Sequence, residues 1–461
     1  MSNHRPLEES ARGRAVSVLV ESYDGDAMCH DLLCDLQAER PLSPADEGLA
    51  AELAIGVSRH RITCEHIASK FYRGRWEGVA VTQRVNIAVG IYQLCFLDRI
   101  PKYAAVDQTV RIARRYGKGA TAVTNAILRQ VTEKRGHIVP RMGDYPPRRF
   151  LILDSERGRL FTDDVFPDPS RRLLDYLIAQ YAHPSWLVER WNRRFKTALC
   201  REVLETGQRR PVLSLRANHL RATPGDLMEK LAAESIDAEL ASDGEGVLIR
   251  ETASAMDLAV VRDGLSQPQD TTARVALGLR PPKPGEFLID LCAGVGTKST
   301  QAAEMMANRG TVIATDDNSE KLESVMTAAG RLGIDIIKTV PLGEIDDAIK
   351  NAGREPDLIL VDAPCLNTGV LARRPEARYR AGQRALTDIA ELQREILSHA
   401  VSLSGSKTSI IYSTCSLEKE ENEDQAAWFV ENNDGWQARE QRFTLPSTDH
   451  DGGYAVHFIR I

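Results

Sequence analysis

A chain of 461 residues with 43% hydrophobic content is long enough for about three ordinary globular domains, each with its own core. A net charge of −6 and a pI near 6.0 exclude a protein that coats nucleic acid indiscriminately. No stretch reaches the ~18 consecutive apolar residues of a membrane span, and Met1-Ser2-Asn3-His4-Arg5 leads into mixed charge rather than a signal-peptide core, so a cytoplasmic protein with no membrane partner is expected.

From about residue 8 to 135 apolar positions recur three or four apart, which predicts a small all-helical domain. Leu49, Leu53 and Val57 form one row; Val85, Val89, Tyr92 and Phe96 form another. Ile87, Ile91 and Leu94 add a neighbouring row, so that helix is expected to be buried on much of its circumference. Val106, Val110 and Ala113 continue the pattern. Over 136–171 the pattern breaks at Pro140, Pro146, Pro147, Pro167 and Pro169, which reads as a linker or insertion. Periodicity returns at Leu173, Leu174 and Leu177 and opens a small α+β domain over 172–266. Within it, Arg190 to Arg221 holds nine basic and two acidic residues, a net +7 over 32 residues, with Trp191 and Phe195 interleaved. Such a segment can hold a phosphate backbone and offer stacking surfaces, or equally be a solvated helix face.

Residues 267–461 alternate strand and helix candidates. The strands are 286–290, 311–316, 357–362 and 408–413, and their alternation with helices predicts a doubly wound, largely parallel sheet. The turn after the first, Cys292-Ala293-Gly294-Val295-Gly296-Thr297-Lys298, lets backbone approach a ligand closely, and the second ends in Asp316, whose carboxylate can accept from ribose hydroxyls. With no GxxxxGK[ST] phosphate loop, S-adenosylmethionine (SAM) fits better than ATP, while a dinucleotide stays open on these features alone.

The eight cysteines (Cys29, Cys34, Cys64, Cys95, Cys200, Cys292, Cys365, Cys415) show no CxxC pair and no zinc-ligand spacing, so neither a disulfide framework nor a metal site is expected. Most read as small buried apolar residues. Cys365 and Cys415 differ, because each follows an apolar strand candidate and so falls at the carboxyl end of the sheet, where α/β folds bind ligands.

Asp362-Ala363-Pro364-Cys365 with Thr368-Gly369-Val370, Arg373-Arg374-Pro375, Gln393, and Tyr412-Ser413-Thr414-Cys415-Ser416 with Glu421-Asn422 resemble the motif set of the Sun-type RNA cytosine carbon-5 methyltransferases. Gly90-Ile91-Tyr92-Gln93-Leu94, Ile100-Pro101, Ala104-Ala105-Val106 and Asn125-Ala126-Ile127-Leu128-Arg129 are similar to the NusB-like domain of the RsmB branch, and 183–188 match its linking segment. The resemblance implies a Rossmann-like SAM-dependent methyltransferase domain behind an N-terminal NusB-like domain and a small α+β domain. It implies Cys415 as the nucleophile that adds to carbon 6 of cytosine, Cys365 as the group that assists product release, and Asp362 close to cofactor and base. The expected substrate is a cytosine of small-subunit (16S) rRNA, with Arg373, Arg374, Arg378 and Arg380 near the flipped base, and the expected state is a monomer.

Three positions depart from the family. Its usual Cys-Ala-Ala-Pro-Gly-Gly-Lys turn is replaced by 292–298, the Ser-Gly or Ser-Ala pair after the first cysteine by Leu366-Asn367, and the acid after the third strand has no clear counterpart near Pro341-Leu342-Gly343. An RNA-binding or assembly protein without turnover would need only the NusB-like part and the basic segment, whereas the thiol pair is needed only by an enzyme. An amino-group methyltransferase would carry an Asn- or Asp-Pro-Pro-aromatic loop, which is absent at 362–365.

Overall fold

A computed structural model of the chain describes residues 7–25, 27–250 and 254–461. They fall into two compact units, Met1–Arg209 with Arg374–Tyr379 and Arg210–Arg373 with Arg380–Ile461.

The first unit opens with helices Ala11–Asp24, Cys29–Glu39, Pro44–Phe71, Val81–Cys95, Lys102–Ala113 and Lys118–Lys134. Local chemistry sets their ends: Ser43 caps the third through its hydroxyl, with Pro44 at the first helical position. Burial of the fourth goes beyond the expectation of much of its circumference: every residue from Val85 to Cys95 is buried. It packs closely on the third because Gly56 has no side chain; a Cβ there would fall 2.3 Å from the Tyr92 ring.

The proline-bearing stretch read as a linker or insertion carries a three-stranded antiparallel sheet, β1 (Arg135–Pro140), β2 (Phe150–Ile152) and β3 (Arg157–Phe161), in the order β1-β3-β2. Pro140 ends one strand and Pro147 stands just before the next, so the prolines mark strand ends rather than open chain. Buried Arg159 ties this sheet to the helices, donating to the carbonyls of Cys95 (2.8 Å) and Gly136 (3.0 Å). Helices Leu173–Tyr181 and Ser185–Thr206 belong to this unit as well, and the compact units divide at 209/210. Tyr176, Leu177 and Ala179 are buried, and the Ala179 carbonyl accepts from the Thr63 hydroxyl at 2.7 Å.

The second unit holds two sheets. The smaller is antiparallel: β4 (Leu213–Ala217), β5 (Glu239–Leu240), β6 (Gly246–Ile249) and β7 (Ser266–Pro268), in the order β5-β6-β4-β7. The larger consists of β8 (Phe287–Asp290), β9 (Thr311–Asp316), β10 (Ile337–Pro341), β11 (Leu358–Asp362), β12 (Ser409–Thr414), β13 (Trp436–Thr444) and β14 (Gly453–Arg460), in the order β10-β9-β8-β11-β12-β14-β13. β8 to β12 run parallel, and β14 and β13 close one edge antiparallel. Two apolar clusters pack on the sheet, one around Phe429, Trp436 and Phe458, the other around Leu288, Val312 and Val325.

Two arginines expected near the RNA base, Arg373 and Arg378, and Arg216 of the basic segment have partners inside the protein. Arg378 is fully buried; its guanidinium donates to the carbonyls of Pro375 (3.0 Å), Arg59 (3.2 Å), Ala182 (3.2 Å) and Gly207 (2.7 Å). Arg373 is held between Asp270 (2.9 Å) and Asp451 (2.6 Å). Arg216, counted in the basic segment, forms a buried two-bond pair with Glu304 at 2.7 and 3.0 Å. Their charge is neutralised or boxed in by carbonyls from distant parts of the chain, which sequence spacing does not reveal. Arg374 is exposed and Arg380 half-buried. In the rest of the basic segment, Arg209 pairs with Glu205 at 2.9 Å, while Lys196 and Arg201 stay exposed.

Arg378→Ala leaves buried carbonyls without their donor, so we expect a loss on the order of 3 kcal/mol, read as a thermal midpoint lowered by several degrees. An RNA-contacting arginine would instead lose RNA affinity with an unchanged midpoint.

Candidate active site

The parallel pairing of β11 with β12 sets Asp362 opposite Ser413. Cys365 lies three residues beyond Asp362 and Cys415 two beyond Ser413, so both thiols leave the same end of adjacent strands. Their sulfurs are 3.3 Å apart.

Two devices hold the cysteine loops. The first is Glu421, whose buried carboxyl accepts from the backbone N–H of Leu366 (3.0 Å), from Gln393 Nε2 (3.0 Å) and from the Ser416 hydroxyl. Leu366 follows Cys365 and Ser416 follows Cys415, so one side chain clamps both loops. Burial pushes Glu421 up to about 7. The second is a close backbone approach: Gly369 N–H donates to the Cys415 carbonyl at 2.9 Å, and a Cβ on Gly369 would sit 2.4 Å from the Gly452 carbonyl oxygen.

Lys298 donates to Asp362 Oδ2 at 2.5 Å and the Ser413 hydroxyl to Oδ1 at 2.7 Å, placing an ammonium–carboxylate pair beside the cysteine loops. Burial alone would lower Lys298, but the Asp362 carboxylate outweighs it and leaves the lysine above its ordinary value, with Cys415 a further contributor. The sulfur of Cys365 is pushed well up by its contact with Cys415 and by burial. Buried Asp290, bonded to the Ser299 hydroxyl at 2.6 Å, is raised by burial to about 7.

The glycine turn adopts the conformations its residues allow. Gly294 and Gly296 have φ of 55° and 82°, in the left-handed region. A Cβ on Gly296 would fall 2.9 Å from Val325, whereas one on Gly294 would point into space with nothing within 4 Å. Helix Thr297–Met305 starts directly after the turn. Asp316 Oδ2 accepts from Gly294 N–H at 2.9 Å and Oδ1 from Asn318 N–H at 3.1 Å. Cys292, Ala293, Gly294, Val295, Gly296, Thr297, Lys298 and Asp316 thus form one turn and its neighbouring strand end, and Lys298 joins them to Asp362. Glu421 and Asn367 are absent from the sequence-derived site; Glu421 was part of a motif, but nothing in its spacing shows that it clamps two loops.

Residues 277–455 match the family model described as 16S rRNA methyltransferase RsmB/F, residues 9–133 match the NusB family, and residues 183–256 match the ferredoxin-like domain of RsmF/B-like methyltransferases. The C-terminal domain is thus similar to the RsmB/F methyltransferases and the N-terminal domain to the NusB family. Two similar relatives are the probable ribosomal RNA small subunit methyltransferase B of Bacillus subtilis, 26% identical over 92% of this chain and 88% of its own length, and the ribosomal RNA small subunit methyltransferase B of Escherichia coli O157:H7, 29% identical over 94% and 91%. Among solved structures, that of PH0851 shares the fold at a TM-score of 0.74 and 19% identity, covering 97% of this chain and 98% of its own. NSun6 from Pyrococcus horikoshii with SFG follows at a TM-score of 0.54 and 18% identity, over 60% and 98%.

The match to the RsmB/F model supports a SAM-dependent methyltransferase domain, and the glycine turn offers backbone that such a cofactor could approach. The open space beside Gly294 leaves the turn's backbone approachable, while the Asp316 carboxylate is engaged by Gly294 N–H, Asn318 N–H and Lys321 Nζ (3.1 Å). Among the described residues no helix is long and apolar enough to cross a membrane, and no group of three or more His, Cys, Asp or Glu residues could hold a metal ion.

Glu421 gives the site a pH signature. Below its ordinary value of 4.5 the group is protonated in folded and unfolded chains alike; between there and about 7 only the folded chain keeps the proton, so stability falls as pH rises through that window. This share is on the order of 3 kcal/mol. Glu421→Gln, neutral throughout, should flatten the fall in chemical-denaturation midpoints between pH 5 and 7, leaving the part due to Asp290.

Proposed function

We propose that this protein methylates carbon 5 of a cytosine in RNA, with small-subunit (16S) rRNA as the substrate, through a covalent adduct with Cys415. The observation that carries the reading is the pair of thiols 3.3 Å apart beside the Lys298–Asp362 pair. A protein that only binds RNA has no use for such an arrangement.

Carbon 5 of cytosine is a poor nucleophile, and covalent addition at carbon 6 remedies that. Cys415 gives up its S–H proton and its sulfur bonds to carbon 6, which makes carbon 5 electron-rich. Bound SAM supplies an electrophilic methyl group. The proton on carbon 5 must then leave to a base, and its bonding pair restores the ring as the sulfur–carbon 6 bond breaks and the Cys415 thiolate returns. Lys298, paired with Asp362, stands beside the cysteine loops. Asp362 anchors Lys298 and faces the same space. Cys365, against the departing sulfur, serves release.

The relatives named for the small ribosomal subunit support rRNA as the substrate class. Arg373 and Arg378 of the proposed RNA-contacting arginines also hold internal partners.

Labelled methyl transferred from SAM to unmethylated small-subunit rRNA should map to 5-methylcytosine. Cys415→Ala should reduce transfer by at least about a thousandfold, the scale for losing a covalent nucleophile, while Cys365→Ala should accumulate an RNA–protein adduct that survives denaturing electrophoresis. A folded, SAM-binding native protein that transfers no label would instead favour an RNA-binding assembly role.

A further inference from the structure

Asn367 is unusual in three respects. It occupies the left-handed region at φ 58°, a conformation that favours glycine. It stands in the pair Leu366-Asn367, where related enzymes usually carry Ser-Gly or Ser-Ala. Its side chain touches both cysteines: Nδ2 donates to the Cys365 carbonyl at 2.8 Å, and Oδ1 accepts from the Cys415 sulfur at 3.2 Å.

The two contacts fix the amide's orientation. Flipping it would set Oδ1 against the Cys365 carbonyl, acceptor against acceptor, so the donor belongs on that side and the oxygen on the sulfur's side. The amide's place is in turn fixed by the backbone: the Asn367 carbonyl accepts from Val370 N–H at 3.2 Å, and the next residue, Thr368, is buried with its hydroxyl on Leu417 N–H at 2.8 Å.

We propose that Asn367 is a positioning residue for the Cys415 thiol, its side-chain oxygen fixing the direction from which the sulfur meets the target base. The inference rests on Cys415 being the nucleophile. An amide oxygen can only accept, so it holds the sulfur while the S–H is present. Once the proton has gone, the oxygen and the thiolate repel, and the sulfur is released toward carbon 6 rather than retained. A glycine or alanine at 367 has no group with which to do this. The residue tunes the approach of the nucleophile and takes no part in bond making.

Asn367→Gly separates this role from the turn, because glycine keeps the left-handed backbone and removes only the amide. Without the amide the kcat for methyl transfer should fall about tenfold, the scale of one net hydrogen bond, with KM for SAM and RNA unchanged. In the protein without RNA or SAM, iodoacetamide should alkylate Cys415 several-fold faster than in the native chain, read by peptide mass mapping with Cys365 as the internal reference. Asn367→Asp sets a second negative charge beside the sulfur and should move the activity profile to higher pH. Unchanged Cys415 alkylation in Asn367→Gly overturns the contact; faster alkylation with an unchanged kcat overturns the positioning role. If the native protein itself transfers no methyl to RNA, the proposed function fails, and alkylation alone decides whether Asn367 holds the sulfur.

Discussion

Everything in the active site depends on the register between β11 and β12. Leu358 to Val361 and Ser409 to Thr414 are buried, so these central strands have no solvent face on which a slipped alignment could settle. A shift of one residue would displace a loop by about 3.3 Å along the strand and turn its side chains to the opposite face. The observed separation of the two sulfurs is comparable to that single step. The geometry of the thiol pair is therefore inherited from the apolar core of the sheet, and the loops only refine it.

The refinement is polar and costly. Burial drives Asp290, Lys298 and Glu421 toward their neutral forms: it prevails for Asp290 and Glu421, both raised to about 7, while Lys298 is held against it by a partner. Lys298 keeps its charge because Asp362 stands against it. Glu421 remains tolerable because three donors converge on it, and removing any one would leave a buried oxygen short of a partner. A similar arrangement on the far side of the Cys365 loop holds Arg373 between Asp270 and Asp451. Stability is conceded at the strand ends so that the thiols are presented in one geometry.

How far the sequence discloses this depends on whether the information is local. The four strands that carry β8, β9, β11 and β12 are short apolar runs ending in Asp, Ser or Thr, and each is recognisable from its own residues. β13 is not, because its residues from Gln437 to Arg442 are exposed and show no apolar alternation; it is an edge strand that only its partner β14 defines. β10 is hidden by a lysine and a terminal proline within five residues. The cysteine pair is legible because each sits just past such a strand, and motif resemblance supplies its chemistry. The roles of the arginines are not, because Arg378 finds its partners at residues 59, 182 and 207, and nothing around position 378 announces them. Glu421 and Asn367 are opaque for the same reason: their contacts arise from the folding of two loops 50 residues apart in the chain.

The strap Arg374–Tyr379 deserves a different reading from that of an ordinary loop. It belongs to the first unit while the chain on either side belongs to the second, so the units are joined by three passages of polypeptide rather than one. Synthesis runs from the N-terminus, and the carbonyls of Arg59, Ala182 and Gly207 have no Arg378 to accept from until that residue emerges. By then β8 to β11 have already been made. The helical unit therefore cannot finish folding before the sheet that bears Cys365 has begun, and the two mature on a shared schedule instead of in the sequential order that a bead-like arrangement of domains permits.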